Sequence, residues 1–299
     1  MGLIGWLIVK GLPLVPKAIV GRVASRYVAG EKLEDALAVV EKLAGEGAMA
    51  TLDLLGEEVS ERSRAIAAAD EYVRMLEAIA ARSLTSNVSI KLTSLGLKID
   101  ADFCRDNVER IVAAAAAHGN FVRIDMEDHT TTDRTLAIYR GIFARHQNVG
   151  VVFQAYMRRT LADIAALPAA GANVRLCKGI YIEPRPVAWK GYETVRLNFL
   201  EALEKLLSSG VYVGIATHDE HLACGAVALV DRLKVPRERY EFQMLYGVDP
   251  ELRKILIADG HRLRVYVPYG RDWYPYSTRR LRENPEVATH VLKGMFGAR

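Results

Sequence analysis

What most constrains this chain is a rhythm. From residue 48 onward, short apolar, β-branched runs alternate with longer amphipathic ones, and the alternation repeats eight times. The spacing predicts strands over 48–53, 87–92, 121–126, 149–154, 173–177, 211–216, 239–243 and 263–267. Helical periodicity fills the intervals at 60–83, 102–118, 131–146, 157–167, 190–208, 219–234 and 250–259. Gly119, Gly171, Gly210 and Gly260 stand where a helix must stop before the next strand begins. Eight such units in about 220 residues point to an α/β fold of the (βα)8 barrel type. A doubly wound sheet needs fewer strands and a glycine-rich phosphate loop after the first one. The segment Gly45-Glu-Gly-Ala-Met-Ala50 matches the GxGxxA spacing but precedes a strand, so it reads as a helix-to-strand loop.

Ahead of the barrel, residues 1–45 read as an N-terminal helical arm, with 46–299 as one catalytic domain. Leu3, Ile4, Trp6, Leu7 and Ile8 form an unusually apolar first helix, and Leu33, Ala36, Leu37, Val40 and Leu43 a regular amphipathic one. The arm packs on the barrel, joins protomers or touches a membrane surface. Lys10 cuts the apolar start short and no basic segment precedes it, which argues against a cleaved signal peptide. No apolar run reaches the roughly 18 residues of a spanning helix. Cys104, Cys177 and Cys224 have no CxxC spacing, as expected of free thiols in a reducing cytoplasm. A net charge of +4 gives no case for a nucleic-acid partner. The basic excess is local, with ten Lys/Arg against five Asp/Glu over residues 251–299.

In a (βα)8 barrel, chemistry sits at the C-terminal ends of the strands. Those ends carry Lys91, Asp125, Gln154, Arg175 with Lys178, Thr217 with His218, Gln243 and Tyr266. Seven polar ends around one mouth describe a site. After the last strand, which Pro268 and Gly270 should end, comes a helix that puts Tyr276, Arg279, Arg280 and Glu283 on one face. Paired guanidinium forks suit a carboxylate or phosphate. These residues leave open a metal-dependent hydrolase using His218 and His221, a Schiff-base lyase using Lys91 or Lys178, and a non-enzymatic binding module, which would not explain so many polar strand ends.

The segment Arg175-Leu-Cys-Lys-Gly-Ile-Tyr181 resembles the RL-x-KG-x-Y signature of the proline dehydrogenase family. Ile90-Lys-Leu92, Ile124-Asp125, Ala216-Thr-His218, Glu241-Phe-Gln-Met-Leu-Tyr-Gly247 and Val265-Tyr-Val-Pro268 with the Tyr-x-x-Arg-Arg-Leu of 276–281 match it in family order. The length is similar to that of the monofunctional bacterial members. The resemblance implies an FAD-dependent oxidation of L-proline to Δ1-pyrroline-5-carboxylate by hydride transfer to flavin N5, with electrons passed to membrane quinone. It assigns Arg279, Arg280 and Lys91 to the proline carboxylate, Asp125 to the substrate–flavin boundary, and Arg175 to the neighbourhood of flavin N5. Met126, Gln154, Lys178, Gly179, Ile180, Thr217 and His218 would hold FAD. Tyr266, Leu245 and Tyr276 would wall the proline ring, and Glu283 would steady the arginines. A tyrosine at the position of Tyr266 goes with preference for proline over hydroxyproline. The implied location is the cytoplasm, with peripheral contact at the inner face of the membrane. Two residues depart from the pattern: Asp219 stands where many relatives have Asn, and Cys177 where Val is usual.

Overall fold

The computed structural model of the chain describes residues 20–21, 24–167 and 171–283, the last five by their backbone only. The strands are β1 (Met49–Leu54), β2 (Ser86–Ile90), β3 (Val122–Ile124), β4 (Val149–Gln154), β5 (Asn173–Cys177), β6 (Tyr212–Ala216), β7 (Tyr240–Leu245) and β8 (Leu263–Tyr269). All pair in parallel with their neighbours, and β8 pairs with β1 to close the barrel. Between them run α2 (Arg62–Ala81), α3 (Ala101–Ala117), α4 (Thr132–Phe143), α5 (Thr160–Ala165), α6 (Tyr192–Ser208), α7 (Glu220–Arg232) and α8 (Pro250–Ala258). Ahead of β1 lies α1 (Leu33–Gly45), and after β8 comes α9 (Trp273–Glu283). The (βα)8 barrel expected from the alternation is the fold.

Helix ends follow local chemistry. Asp100 accepts from the Phe103 amide at 2.8 Å and caps α3, and Asp249 accepts from the Leu252 amide at 3.0 Å ahead of Pro250. The four glycines read as stops all have left-handed φ, from +60° at Gly119 to +76° at Gly171 and Gly260. Helix α1 packs against β8 and β1, the slot in the outer ring that a helix after β8 would otherwise take. Its inner stripe is Ala36, Leu37, Val40 and Leu43. The end of the expected arm is therefore barrel wall, whereas its first apolar helix, residues 3–8, lies outside the described residues.

Two expected boundaries differ from the observed ones. Pro268 does not end β8, which runs on to Tyr269. The β7–β8 register stops at Leu245 opposite Tyr266, so no β7 carbonyl calls for the N–H that Pro268 lacks. Helix α5 starts later than 157 because turns occupy the chain before it: Met157 bridges antiparallel to Ala188, and Arg158 N–H donates to the Val187 carbonyl.

The hydrophobic core lies between barrel and helices. Val88 and Ile90, Val122 and Ile124, Val174 and Leu176, Val213 and Ile215, and Val265 and Val267 are all fully buried there. Each such side chain contributes roughly 1.5–3 kcal/mol. The alternate residues of the same strands face the lumen, and they are strongly polar. Arg175 on β5 bonds Ser89 on β2, and Tyr266 on β8 bonds Asp125 just past β3. Those strands are not neighbours, so the bonds cross the barrel interior.

Candidate active site

Four of the expected residues meet at the C-terminal end of the lumen. Lys91 and Asp125 lie one residue beyond β2 and β3, where the chain is leaving the ladder, and Tyr266 lies inside β8, not at its end. Arg175 Nη1 donates to Asp125 Oδ1 at 2.6 Å and to Ser89 Oγ at 3.1 Å. Tyr266 Oη donates to Asp125 Oδ2 at 2.9 Å and accepts from Lys91 Nζ at 3.0 Å. Lys91 Nζ is also 3.5 Å from Asp125 Oδ2. Both oxygens of Asp125 are thereby engaged, one by a guanidinium and one by a phenol.

A fifth member has no counterpart among the sequence-predicted residues. Asp53 on β1 accepts from Lys91 Nζ at 2.6 Å and is wholly buried. It closes the first strand candidate as the other polar ends close theirs, which is the signal that could have found it. Its Oδ2 is a buried acceptor without a hydrogen-bond partner. Burial pushes Asp53 up to about 6, against the pull of Lys91. Burial likewise works to raise Asp125, but Arg175 and Lys91 outweigh it and hold that carboxyl below the usual range. Lys91 loses charge stability through burial and more than regains it from Asp53, Tyr266 and Asp125, so it is an ammonium ion. An amine held in that state is not a Schiff-base nucleophile.

The residues expected to hold a cofactor lie at the adjoining C-terminal strand ends. Gln154 Nε2 donates to the Met126 carbonyl at 3.2 Å and to that of Glu127 at 2.8 Å, leaving Gln154 Oε1 buried and unpaired. Gly179 has φ +110°, and a Cβ there would come within 2.1 Å of the Tyr156 ring. Only glycine gives that loop its close approach. Ile180 is half-buried beside it. Thr217 Oγ1 accepts from the Asp219 amide at 3.0 Å, and His218 Nε2 accepts from the Leu245 amide at 2.7 Å. That bond uses one ring nitrogen of His218, and His221 is exposed on α7. Among the described residues no group of three His, Cys, Asp or Glu could hold a metal ion. Cys177 is half-buried, its thiol pushed up to about 11 by burial.

The charge that Asp219 adds is answered locally. Its carboxylate accepts from Lys178 at 3.1 Å, from Tyr192 at 2.7 Å and from Arg196 Nε and Nη2 at 2.9 and 2.7 Å. Burial opposes its ionisation, but these donors hold its pKa well below the ordinary value. Arg196 also pairs with Glu193 at 3.0 Å, so the two cations here face two carboxylates.

Helix α9 starts at the same end of the barrel. Tyr276 and Trp273 pack with Leu55, just past β1, and with Val28. The side chains of Arg279, Arg280 and Glu283 lie outside the described residues.

A closed parallel barrel with a buried lysine, arginine and two carboxylates at its C-terminal mouth defines a barrel-type enzyme site. The proline dehydrogenase family model matches residues 36–293, and the chain belongs to that family, whose members are oxidoreductases. It is 40% identical over 278 residues to a proline dehydrogenase of Deinococcus radiodurans, covering 91% of this chain and 90% of that one. Proline dehydrogenase 1 of Bacillus subtilis (strain 168) is 39% identical over 273 residues, with the same coverage. Among solved structures, proline utilization A from Bdellovibrio bacteriovorus, inactivated by N-propargylglycine, superposes with a TM-score of 0.82 at 23% identity. That match covers 88% of this chain and 32% of the other, and shares the fold.

Proposed function

We propose that this chain oxidises L-proline to Δ1-pyrroline-5-carboxylate, with FAD as its flavin. The observation that carries the reading is the joined Lys91–Asp125–Arg175–Tyr266 constellation at the mouth of a barrel whose sequence belongs to this family. The residues present fit a flavin. The orphaned Gln154 Oε1 is an acceptor that a ring imide N–H would satisfy, and the Cβ-free Gly179 leaves backbone open to a ligand. Lys178 and Arg196 suit an anionic diphosphate. Gln154, Met126, Lys178, Gly179, Ile180, Thr217 and His218 would hold the cofactor. When bound, the flavin supplies the two-electron acceptor that no side chain can.

The chain's own residues then do three things. Lys91, held as an ammonium by Asp53 and Asp125, presents a fixed positive charge to the substrate carboxylate, and Arg279 and Arg280 join it from α9. Proline enters as a zwitterion, and breaking its C–H bond next to nitrogen needs the nitrogen lone pair. The cationic, desolvated mouth lowers the substrate amine pKa and favours the neutral amine. Tyr266, pinned through its hydroxyl to Asp125 and Lys91, limits the size of the ring that fits, with Leu245 and Tyr276 completing the wall. Arg175 steadies Asp125 and presents its remaining edge to the flavin. The work is orientation and electrostatics.

Anaerobic addition of L-proline to the purified protein tests this directly. The flavin absorbance band should bleach, whereas a bound flavin that stays oxidised would remove proline as substrate. Electrons leaving the flavin are proposed to pass to membrane quinone, with residues 1–20 as the peripheral contact of a cytoplasmic enzyme. No described helix is long and apolar enough to cross a membrane. Deleting those twenty residues should lower quinone reduction with membranes while leaving the bleaching intact; equal quinone reduction would exclude the contact.

A further inference from the structure

The mouth uses only the top of a longer polar chain. Below Arg175 a line of buried side chains continues down the lumen. Arg175 Nε donates to Gln243 Oε1 at 2.5 Å, and Gln243 Nε2 donates to Glu241 Oε1 at 2.6 Å. The Glu241 carboxylate accepts further from Arg264 Nε at 2.7 Å, Arg264 Nη2 at 3.1 Å and Tyr212 Oη at 2.8 Å. Arg264 Nη1 is tied to the Ala50 carbonyl at 2.6 Å. Gln243 and Glu241 are almost entirely buried.

A glutamine amide can lie either way round, and which way decides what it offers a neighbour. Here both neighbours agree. Glu241 is paired with Arg264 and presents only acceptor oxygens, so the Gln243 NH2 must face it. The carbonyl must then face Arg175, whose guanidinium has only donors. The backbone also makes room: a Cβ on Gly214 would come within 2.4 Å of Gln243 Nε2. The bare strand position on β6 is what admits this side chain.

We propose that Gln243 is a positioning residue for Arg175, its amide orientation set by the Glu241–Arg264 pair beneath it. With Nε held by Gln243 and Nη1 by Asp125 and Ser89, the guanidinium cannot turn, and Nη2 makes no hydrogen bond among the described residues. The edge that carries Nη2 is what Gln243 aims. This rests on the proposed place of Arg175 beside the flavin.

The test uses the flavin-loaded enzyme and reads both turnover and the flavin midpoint potential, the latter by dye-coupled reduction without proline. Gln243→Met should lower kcat about tenfold, with the proline KM within about twofold, as loss of orientation without loss of substrate contacts requires. It should move the potential negative, in the same direction as Arg175→Met. The double variant should be no worse than Arg175→Met alone, because Gln243 then has nothing left to position. Additive losses in the double variant, or an unchanged potential in Gln243→Met when Arg175→Met shifts it, would overturn the proposal. If Arg175→Met leaves the potential alone, the placement of Arg175 itself fails and the proposal with it. Gly214→Ala crowds the same amide without removing it and should reproduce the kcat and potential changes, also where Gln243→Met does not fold; a folded Gly214→Ala enzyme with wild-type kcat and potential would overturn the proposal as well.

Discussion

Asp53 Oδ1 lies 2.6 Å from Lys91 Nζ, and the aspartate is wholly cut off from solvent. A lone buried ammonium is unstable, and one with a fixed anion beneath it can serve as a permanent charge.

That pairing has a pH signature. Burial raises Asp53 from 3.8 to about 6, so the fold tolerates its protonated form better: the stabilisation from this group is complete below 3.8 and is lost as pH rises through 6. For substrate binding the sense is opposite, since only the anion holds Lys91. The kcat/KM for proline should show an acid limb near 6 in the wild type. Asp53→Asn should remove that limb and lower kcat/KM by about tenfold at pH 8, since a lost charged bond is worth ~1.5–3 kcal/mol. An unchanged limb in the variant would assign the titration elsewhere.

Glu127 makes the complementary case for stability. It is buried beneath Thr93, whose amide donates to Oε1 at 2.9 Å and whose hydroxyl bonds Oε2. Burial pushes it from 4.5 up to about 7, so its contribution is complete below 4.5 and is lost as pH rises through 7. Glu127→Gln carries no charge, keeps the acceptor for the Thr93 amide, and turns the second contact round so that its NH2 donates to the Thr93 hydroxyl. In urea unfolding at pH 8 it should be about 1–3 kcal/mol more stable than the wild type, and at pH 4.5 the two should coincide. A variant weaker at pH 8 would show the ionised carboxylate to be the preferred form.

At Gly179 the expected loss is of cofactor. The backbone there is left-handed at +110°, and an alanine Cβ would clash with the Tyr156 ring at 2.1 Å. Gly179→Ala should cost about 1–3 kcal/mol in fold stability and reduce bound flavin after purification by more than half. Full flavin content in the variant would take this loop out of the cofactor site.

Tyr266 tests the substrate wall. Tyr266→Phe leaves Asp125 Oδ2 without its 2.9 Å donor and Lys91 without one acceptor. The kcat/KM for proline should fall about tenfold at unchanged flavin content, and the preference over hydroxyproline should narrow because a hydroxyl's volume is vacated. If selectivity is unmoved, the phenol does not border the ring.

Much of the fold was legible because a strand buried on its outer face must alternate, and that alternation is written in residues such as Val88 and Ile90 around Ser89. The mouth residues were legible as polar groups at predictable strand ends. What remained hidden were partnerships: Asp53, Glu241 and Gln243 read as polar strand residues, but that Asp53 holds Lys91 on β2 and that Gln243 reaches past β6 to Arg175 on β5 is settled only by packing inside the lumen. The β8 end was misplaced for a related reason, since a proline interrupts a strand only where a neighbour needs its N–H. Asp219 reads in sequence only as a departure from Asn; its partners Lys178, Tyr192 and Arg196, the last 23 positions upstream, are not visible in the spacing.

The apolar side chains of this barrel form a sleeve around the strands, and the axis is wired with charge. The two sets interleave residue by residue along the same strands, yet they answer to different demands. One must exclude water; the other must match donors to acceptors. Substitutions in the sleeve should therefore be judged by volume and those on the axis by polarity. A lineage, or an engineer, can rewrite the axis for another substrate while leaving the scaffold's assembly instructions alone.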